Sequence, residues 1–185
     1  SNADDFYGQD AFQLLADFLS EADDAEKCLS AMAGFRLADV VSDFGSVSRG
    51  ICQVENGFLR TVEETTAIQK NGTGFQGHNE LGNLIHFDGE ETASMNLWAF
   101  PVGFFLELEK GMIEFGQTAA NLSADEFYLP SAVDSMVRHE RGSARAFKAK
   151  GPWMGITYKD DRSFVVSKLS ELVAQGFYPE RLWEE

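Results

Sequence analysis

The sequence predicts an α/β protein folded as one unit. Strand-like apolar runs interleave with amphipathic helical stretches along the whole chain. The 185 residues are 44% hydrophobic and 24% charged, enough apolar material for a real core, and no repeat, linker or low-complexity segment divides them. A chain of this length holds one domain or part of a larger one.

The elements follow in order. Asp10 to Ser20 is a helix, with Phe12, Leu15, Phe18 and Leu19 on one face and Asp10 near its positive end. Ala25 to Ala33 is a second, weaker helical stretch stopped by Gly34. Val47 to Val54 and Phe58 to Glu64 are β-prone runs flanking Glu55-Asn56-Gly57, the signature of a tight hairpin. Asn71 to Asn83, rich in Gly and Asn, reads as a surface loop. Ala93 to Phe100 is a strand that feeds a helix starting at Pro101 and running to about Phe115. Pro130 to Arg141 is a helix with Ala132, Val133, Met136 and Val137 as its apolar stripe. Ala144 to Ala149 and Trp153 to Tyr158 are short strands, and Ser163 to Gln175 is a final helix ended by Gly176.

Composition excludes several classes of function. Fifteen Lys and Arg against 30 Asp and Glu give a net charge of −15, which repels nucleic acid and anionic membranes over most of the surface. The longest apolar stretch, Leu97 to Leu108, is too short to span a bilayer and is cut by Pro101 and Gly103, so a soluble, cytoplasmic protein is expected. Cys28 and Cys52 lack CxxC spacing and read as reduced thiols. His78, His86 and His139 are widely separated, and no nucleophilic triad assembles around them. Trp98, Phe100, Phe104 and Phe105 read as core aromatics, with Trp153 left as a sugar-stacking platform.

Two acidic doublets, Asp4-Asp5 and Asp160-Asp161, each precede a predicted helix. In α/β sheets ligands gather beyond the carboxyl ends of strands, so the doublets are candidates to share a divalent cation. An Asp before a helix is equally a favoured N-cap, and Asp161 suits that role.

Several blocks carry a resemblance. Asn2-Ala3-Asp4-Asp5-Phe6-Tyr7-Gly8 is followed by Gly45-Ser46-Val47-Ser48-Arg49-Gly50 with Val62-Glu63-Glu64, then Ser94 to Phe100, Glu126 to Pro130, Trp153 to Asp161, and Tyr178 to Trp183. Together, and in this order, they resemble the uridylyltransferase-like branch of the sugar-phosphate nucleotidyltransferases over nearly the whole chain. The resemblance implies a Rossmann-like three-layer domain with a mixed sheet, in which a sugar 1-phosphate attacks the α-phosphate of an NTP and pyrophosphate leaves. It implies Mg²⁺ held by Asp4 and Asp161, with Asp5 and Asp160 as the adjacent alternatives. It implies Asn96 and Glu126 on sugar hydroxyls and Lys159 and Arg49 as cations for phosphate. Glu64 matches a family glutamate, although Thr65-Thr66-Ala67 stands where a basic residue usually follows.

The family's Gly-rich nucleotide-binding turn has no counterpart here; Gly72-Thr73-Gly74 lacks the strand-turn-helix setting and the basic partner. Ser1-Asn2-Ala3 reads as the remnant of a removed tag. The expectation is the C-terminal, sugar-phosphate-binding portion of a nucleotidyltransferase, its leading strands missing, inactive alone and homo-oligomeric through its uncovered apolar surface. The alternatives are a non-catalytic domain binding a nucleotide sugar or a protein, and a metal-dependent phosphatase-like protein.

Overall fold

In the computed structural model, which describes residues 1–21, 28–119 and 126–181, the expected open three-layer sheet is replaced by a closed barrel. The elements are α1 (Gln9–Glu21), β1 (Leu29–Arg36), a 3₁₀ turn (Leu37–Asp39), β2 (Val47–Glu55), β3 (Phe58–Asn71), β4 (Gly74–His78), β5 (Leu84–Phe87), β6 (Thr92–Ala99), α2 (Phe104–Thr118), α3 (Leu129–Arg138), β7 (Ser143–Lys148) and α4 (Asp161–Ala174). The sheet runs β2-β6-β1-β7-β3-β4-β5, and β2 also pairs with β3, closing the first five strands into a ring. Only β1 and β7 are parallel; the other pairings are antiparallel.

The correction to the Rossmann-like expectation has a physical reason. Alternating strands and helices imply parallel crossovers, but here six strands, β1 to β6, come before α2 with only a 3₁₀ turn among them, and they pair antiparallel. The hairpin supplies the closure. Asn56 (φ 53°) and Gly57 (φ 78°) both take the left-handed conformation that matches strand twist in a two-residue turn, setting Glu55 opposite Phe58. β2 then reaches β6 through Gly50 and Ser94, while Phe58 reaches Arg145 of β7.

The central strand β1 is buried on both faces. Ala31, Ala33 and Phe35 join Leu15 and Phe18 of α1 and Met95 and Leu97 of β6. Met32 joins Val62, Trp98, Phe104 and the α3 residues Val133 and Met136. Such a strand shows no alternation of apolar and polar residues, which is why a helix was expected there. The start of that expected helix, Ala25 to Lys27, lies outside the described residues. Trp98, Phe100 and Phe104 stack in succession, the last pair with centroids 3.9 Å apart, while Phe105 is exposed rather than core.

Two further expectations change. Asn71 to Asn83 is not a plain loop, because β4 lies within it and pairs with β3 and β5. Its strand carries only Phe75 and Gly77 inward, too few for an apolar pattern to register. Trp153 to Tyr158 is not a strand: only Met154 forms a bridge, to Phe6, and the amides of Thr157 and Tyr158 are taken by a side chain. The helices expected at Asp10, Pro101, Pro130 and Ser163 are present with shifted ends. Asp134 of α3 accepts the Val62 amide at 3.0 Å, and Arg141 pairs with Glu107 of α2 at 2.7 Å, tying both helices down. Among the described residues no helix is long and apolar enough to cross a membrane.

Where β3 leaves the barrel to pair with β4, the register slips between Thr66 and Gln69 and Ala67 sits at φ 53°. A Cβ in the left-handed region costs about 1–2 kcal/mol. Ala67→Gly is therefore expected to raise unfolding free energy by about 1 kcal/mol in urea denaturation, after the entropy lost by glycine. A fall in stability would show that the bend is not strained.

Candidate functional site

The N-terminal segment and the segment after β7 meet through the Phe6–Met154 bridge, with hydrogen bonds of 2.8 and 2.9 Å in the two directions. Beside this bridge lies a polar cavity of about 230 Å³. Its wall collects residues from separate parts of the chain: Asp4 and Asp5, Arg49 and Gly50 of β2, Glu64 of β3, Ser94 and Asn96 of β6, and Trp153. The register explains the convergence. Gly50 is opposite Glu64 on one side and Ser94 on the other, and Arg49 is opposite Thr65.

Asn96 enters the site through an irregularity. Met32 faces Trp98 and Gly34 faces Ser94, so β6 carries extra residues between these pairs, and Asn96 sits there at φ 60°. Bulges of this kind re-aim a side chain, and Asn tolerates the left-handed region better than most residues. Asp5 is held from beneath: its Oδ2 accepts from Asn2 Nδ2 at 3.0 Å and from the Tyr7 hydroxyl at 3.2 Å. That hydroxyl also contacts the Met95 carbonyl at 2.7 Å, linking Asp5 to the strand of Asn96. Burial, together with the charges of Asp5 and Asp4, raises the Tyr7 phenol far above its ordinary value, so it stays protonated. A Cβ on Gly155 would lie 2.5 Å from the Trp153 ring and 2.9 Å from Asp5 Oδ1, so a larger residue there would have to displace this wall of the cavity.

Arg49 is the cation of the site. Its Nε donates to the Val40 carbonyl and its Nη1 to the Ser48 carbonyl, both at 2.8 Å, and the guanidinium lies 5.0 Å from the Trp153 ring centroid. Among the described residues no carboxylate comes within ion-pair distance of it. Burial lowers its pKa, while the longer-range fields of Asp5, Glu64 and Asp161 act the other way. Burial likewise raises Glu64, opposed by Arg49 and assisted by Glu80. A half-buried guanidinium with fixed orientation and free donors is a ready receptor for a phosphate.

The other expected residues fall differently. Glu126 is exposed, does not line the cavity, and accepts from the Tyr128 hydroxyl, which raises the phenol's pKa. Lys159 is exposed in the turn before α4 and lines neither this cavity nor the neighbouring one. Asp160 is exposed. Asp161 lies outside the cavity and is only 8% exposed; Oδ1 accepts from the Ser42 hydroxyl at 3.0 Å, and Oδ2 accepts from the Thr157 and Tyr158 amides at 3.0 and 2.7 Å. It does not cap α4 either, since those amides precede the helix.

A magnesium ion shared by Asp4 and Asp161 does not fit this arrangement. Both Asp161 oxygens are already occupied by protein donors, and among the described residues no group of three or more His, Cys, Asp and Glu is placed to hold a metal. Neither thiol is poised for nucleophilic chemistry: burial pushes Cys52 up to about 12 and raises Cys28 as well.

Tyr7, Gly50, Ser94 and Thr157 belong to the site's surroundings without having been singled out from the sequence, although all lie inside the blocks of the resemblance. Because the fold raises the Glu64 pKa, the contribution of this group to stability is fully present below its unfolded value and is lost as pH rises through the folded one. Glu64→Gln is expected to be more stable than the parent at pH 7, with the difference shrinking as pH falls below 5; urea titrations at both pH values check this, and a less stable variant at pH 7 would refute it. The chain matches no family model and no curated protein.

Proposed function

We propose that this chain binds the sugar 1-phosphate of a nucleotidyltransferase reaction, in which that phosphate attacks an NTP and releases pyrophosphate. The observation that carries the proposal is the meeting of Asp5, Arg49, Glu64 and Asn96, from distant parts of the chain, around one small polar cavity. The chemistry matches a phosphorylated polyol. The guanidinium offers paired donors to phosphate oxygens, and the amide and carboxylates accept and donate to hydroxyl groups in fixed directions. Trp153, already beneath Arg49, gives the cavity an aromatic wall.

The reading rests on the residues gathered around the cavity and not on the Rossmann-like fold, which the barrel overturns. Transfer between phosphates is a matter of positioning and charge, and the role of this chain's residues would be to orient the attacking phosphate oxygen. Arg49 holds the phosphate, and Asn96 and Glu64 fix the ring. A non-catalytic domain that binds a nucleotide sugar is the second reading, favoured by the commitment of both Asp161 oxygens to the protein itself.

Calorimetric titration with a panel of hexose 1-phosphates is the test. At least one is expected to bind while the unphosphorylated hexose does not. Arg49→Ala removes hydrogen bonds to a charged group, worth about 1.5–3 kcal/mol, so affinity should fall about 10- to 150-fold. Failure of the whole panel to bind would sink the reading. Pyrophosphate release, followed with the five common NTPs and a hexose 1-phosphate that binds, separates transfer from simple binding.

A further inference from the structure

We infer that Asp161 is a positioning residue for the cavity, not a metal ligand: its carboxylate knots the segment carrying Trp153 and Thr157 to the loop that delivers Arg49. The knot is a set of directed bonds. Ser42, in the loop before β2, donates to Oδ1 at 3.0 Å, and the Thr157 and Tyr158 amides donate to Oδ2 at 3.0 and 2.7 Å. A second tie runs parallel to it, from the Tyr158 hydroxyl to the Ser46 carbonyl at 2.5 Å. Val47 begins β2 directly after Ser46, and Arg49 is two residues on.

The consequence reaches the guanidinium from both sides. Arg49 is anchored to the Val40 and Ser48 carbonyls on the loop side and lies over Trp153 on the other. The distance between those two supports is set by how the loop meets the 153–158 segment, and Asp161 bonds to both. Arg49, Trp153 and Thr157 also form the shared wall between the polar cavity and a larger cleft of about 640 Å³ that Asp161 lines. Buried at this junction, the carboxylate accepts three hydrogen bonds from protein donors, as buried charged groups require.

The hydrogen-bond inventory separates positioning from metal ligation. An amide in place of the carboxylate keeps one oxygen for the two backbone amides, and its NH₂ can donate to Ser42 Oγ, which has a lone pair to spare beyond the one taken by the Phe44 amide. A positioning role therefore survives Asp161→Asn and fails in Asp161→Ala. A role through negative charge or metal binding fails in both.

The experiment reads Arg49 itself, so that it stands apart from the proposed function. In ¹H–¹⁵N spectra the Arg49 Nε–H, bonded to Val40, is expected to give a resolved, slowly exchanging signal in the parent and in Asp161→Asn. In Asp161→Ala it is expected to shift and exchange at least about tenfold faster. The parent-like signal in the alanine variant, its loss in the asparagine variant, or its absence from the parent would each overturn the inference. If Asp161→Ala does not fold, Tyr158→Phe, which cuts only the tie to Ser46, should accelerate exchange of the same signal, and an unchanged rate would count against the knot. The second arm rests on the sugar-phosphate reading: with a hexose 1-phosphate that binds the parent, affinity should stay within about threefold in Asp161→Asn and fall about tenfold or more in Asp161→Ala. If no ligand binds the parent, the proposed function fails while the spectra still decide the inference.

Discussion

The double pairing of β2, with β3 on one edge and β6 on the other, is the constraint on which the rest depends. It closes the ring, and it lines up Glu64, Gly50 and Ser94 across three strands with Arg49 one step further along. Side chains alternate faces along a strand, so a slip of one residue in either pairing would take Glu64 or Ser94 away from its place beside Gly50 and turn other side chains to that face. The tight Asn56-Gly57 turn protects that register, because two left-handed residues in succession fit a two-residue connection and little else.

Electrostatics gives the site its character. In a chain of net charge −15, a half-buried guanidinium within the fields of Asp5, Glu64 and Asp161 would ordinarily be neutralised by direct contact. Instead its fixed contacts are two backbone carbonyls and an aromatic face. The carboxylates are occupied elsewhere, Asp161 by loop donors and Asp5 by Tyr7 and Asn2. Among the described residues this cation is held in place without an ion-pair partner, so its orientation is fixed by folding before anything binds.

How much was legible in the sequence varies with the range of the interaction concerned. Asn56-Gly57 announced its hairpin, and Pro101 and Pro130 announced the starts of α2 and α3, because each is a local preference of the backbone. The run Leu29 to Arg36 was opaque, since a strand buried on both faces has no periodicity to distinguish it from a helix. Within the candidate site, Arg49, Glu64 and Asn96 could be chosen by chemical type and resemblance, and the cavity brings them together. Glu126 and Lys159 were chosen by the same means and stay in solvent, outside it.

By itself the sequence determined the turn chemistry, most helix positions, the net negative charge and the inventory of charged and amide side chains. These are properties of single residues and near neighbours. Only the tertiary structure decided that the sheet closes, that Asn96 turns through a strained bulge, and that Asp161 spends its carboxylate on three donors from segments more than a hundred residues apart in the case of Ser42. A carboxylate's role depends on which donors reach it first. That competition is settled by packing at long range, where residue type and spacing carry no information.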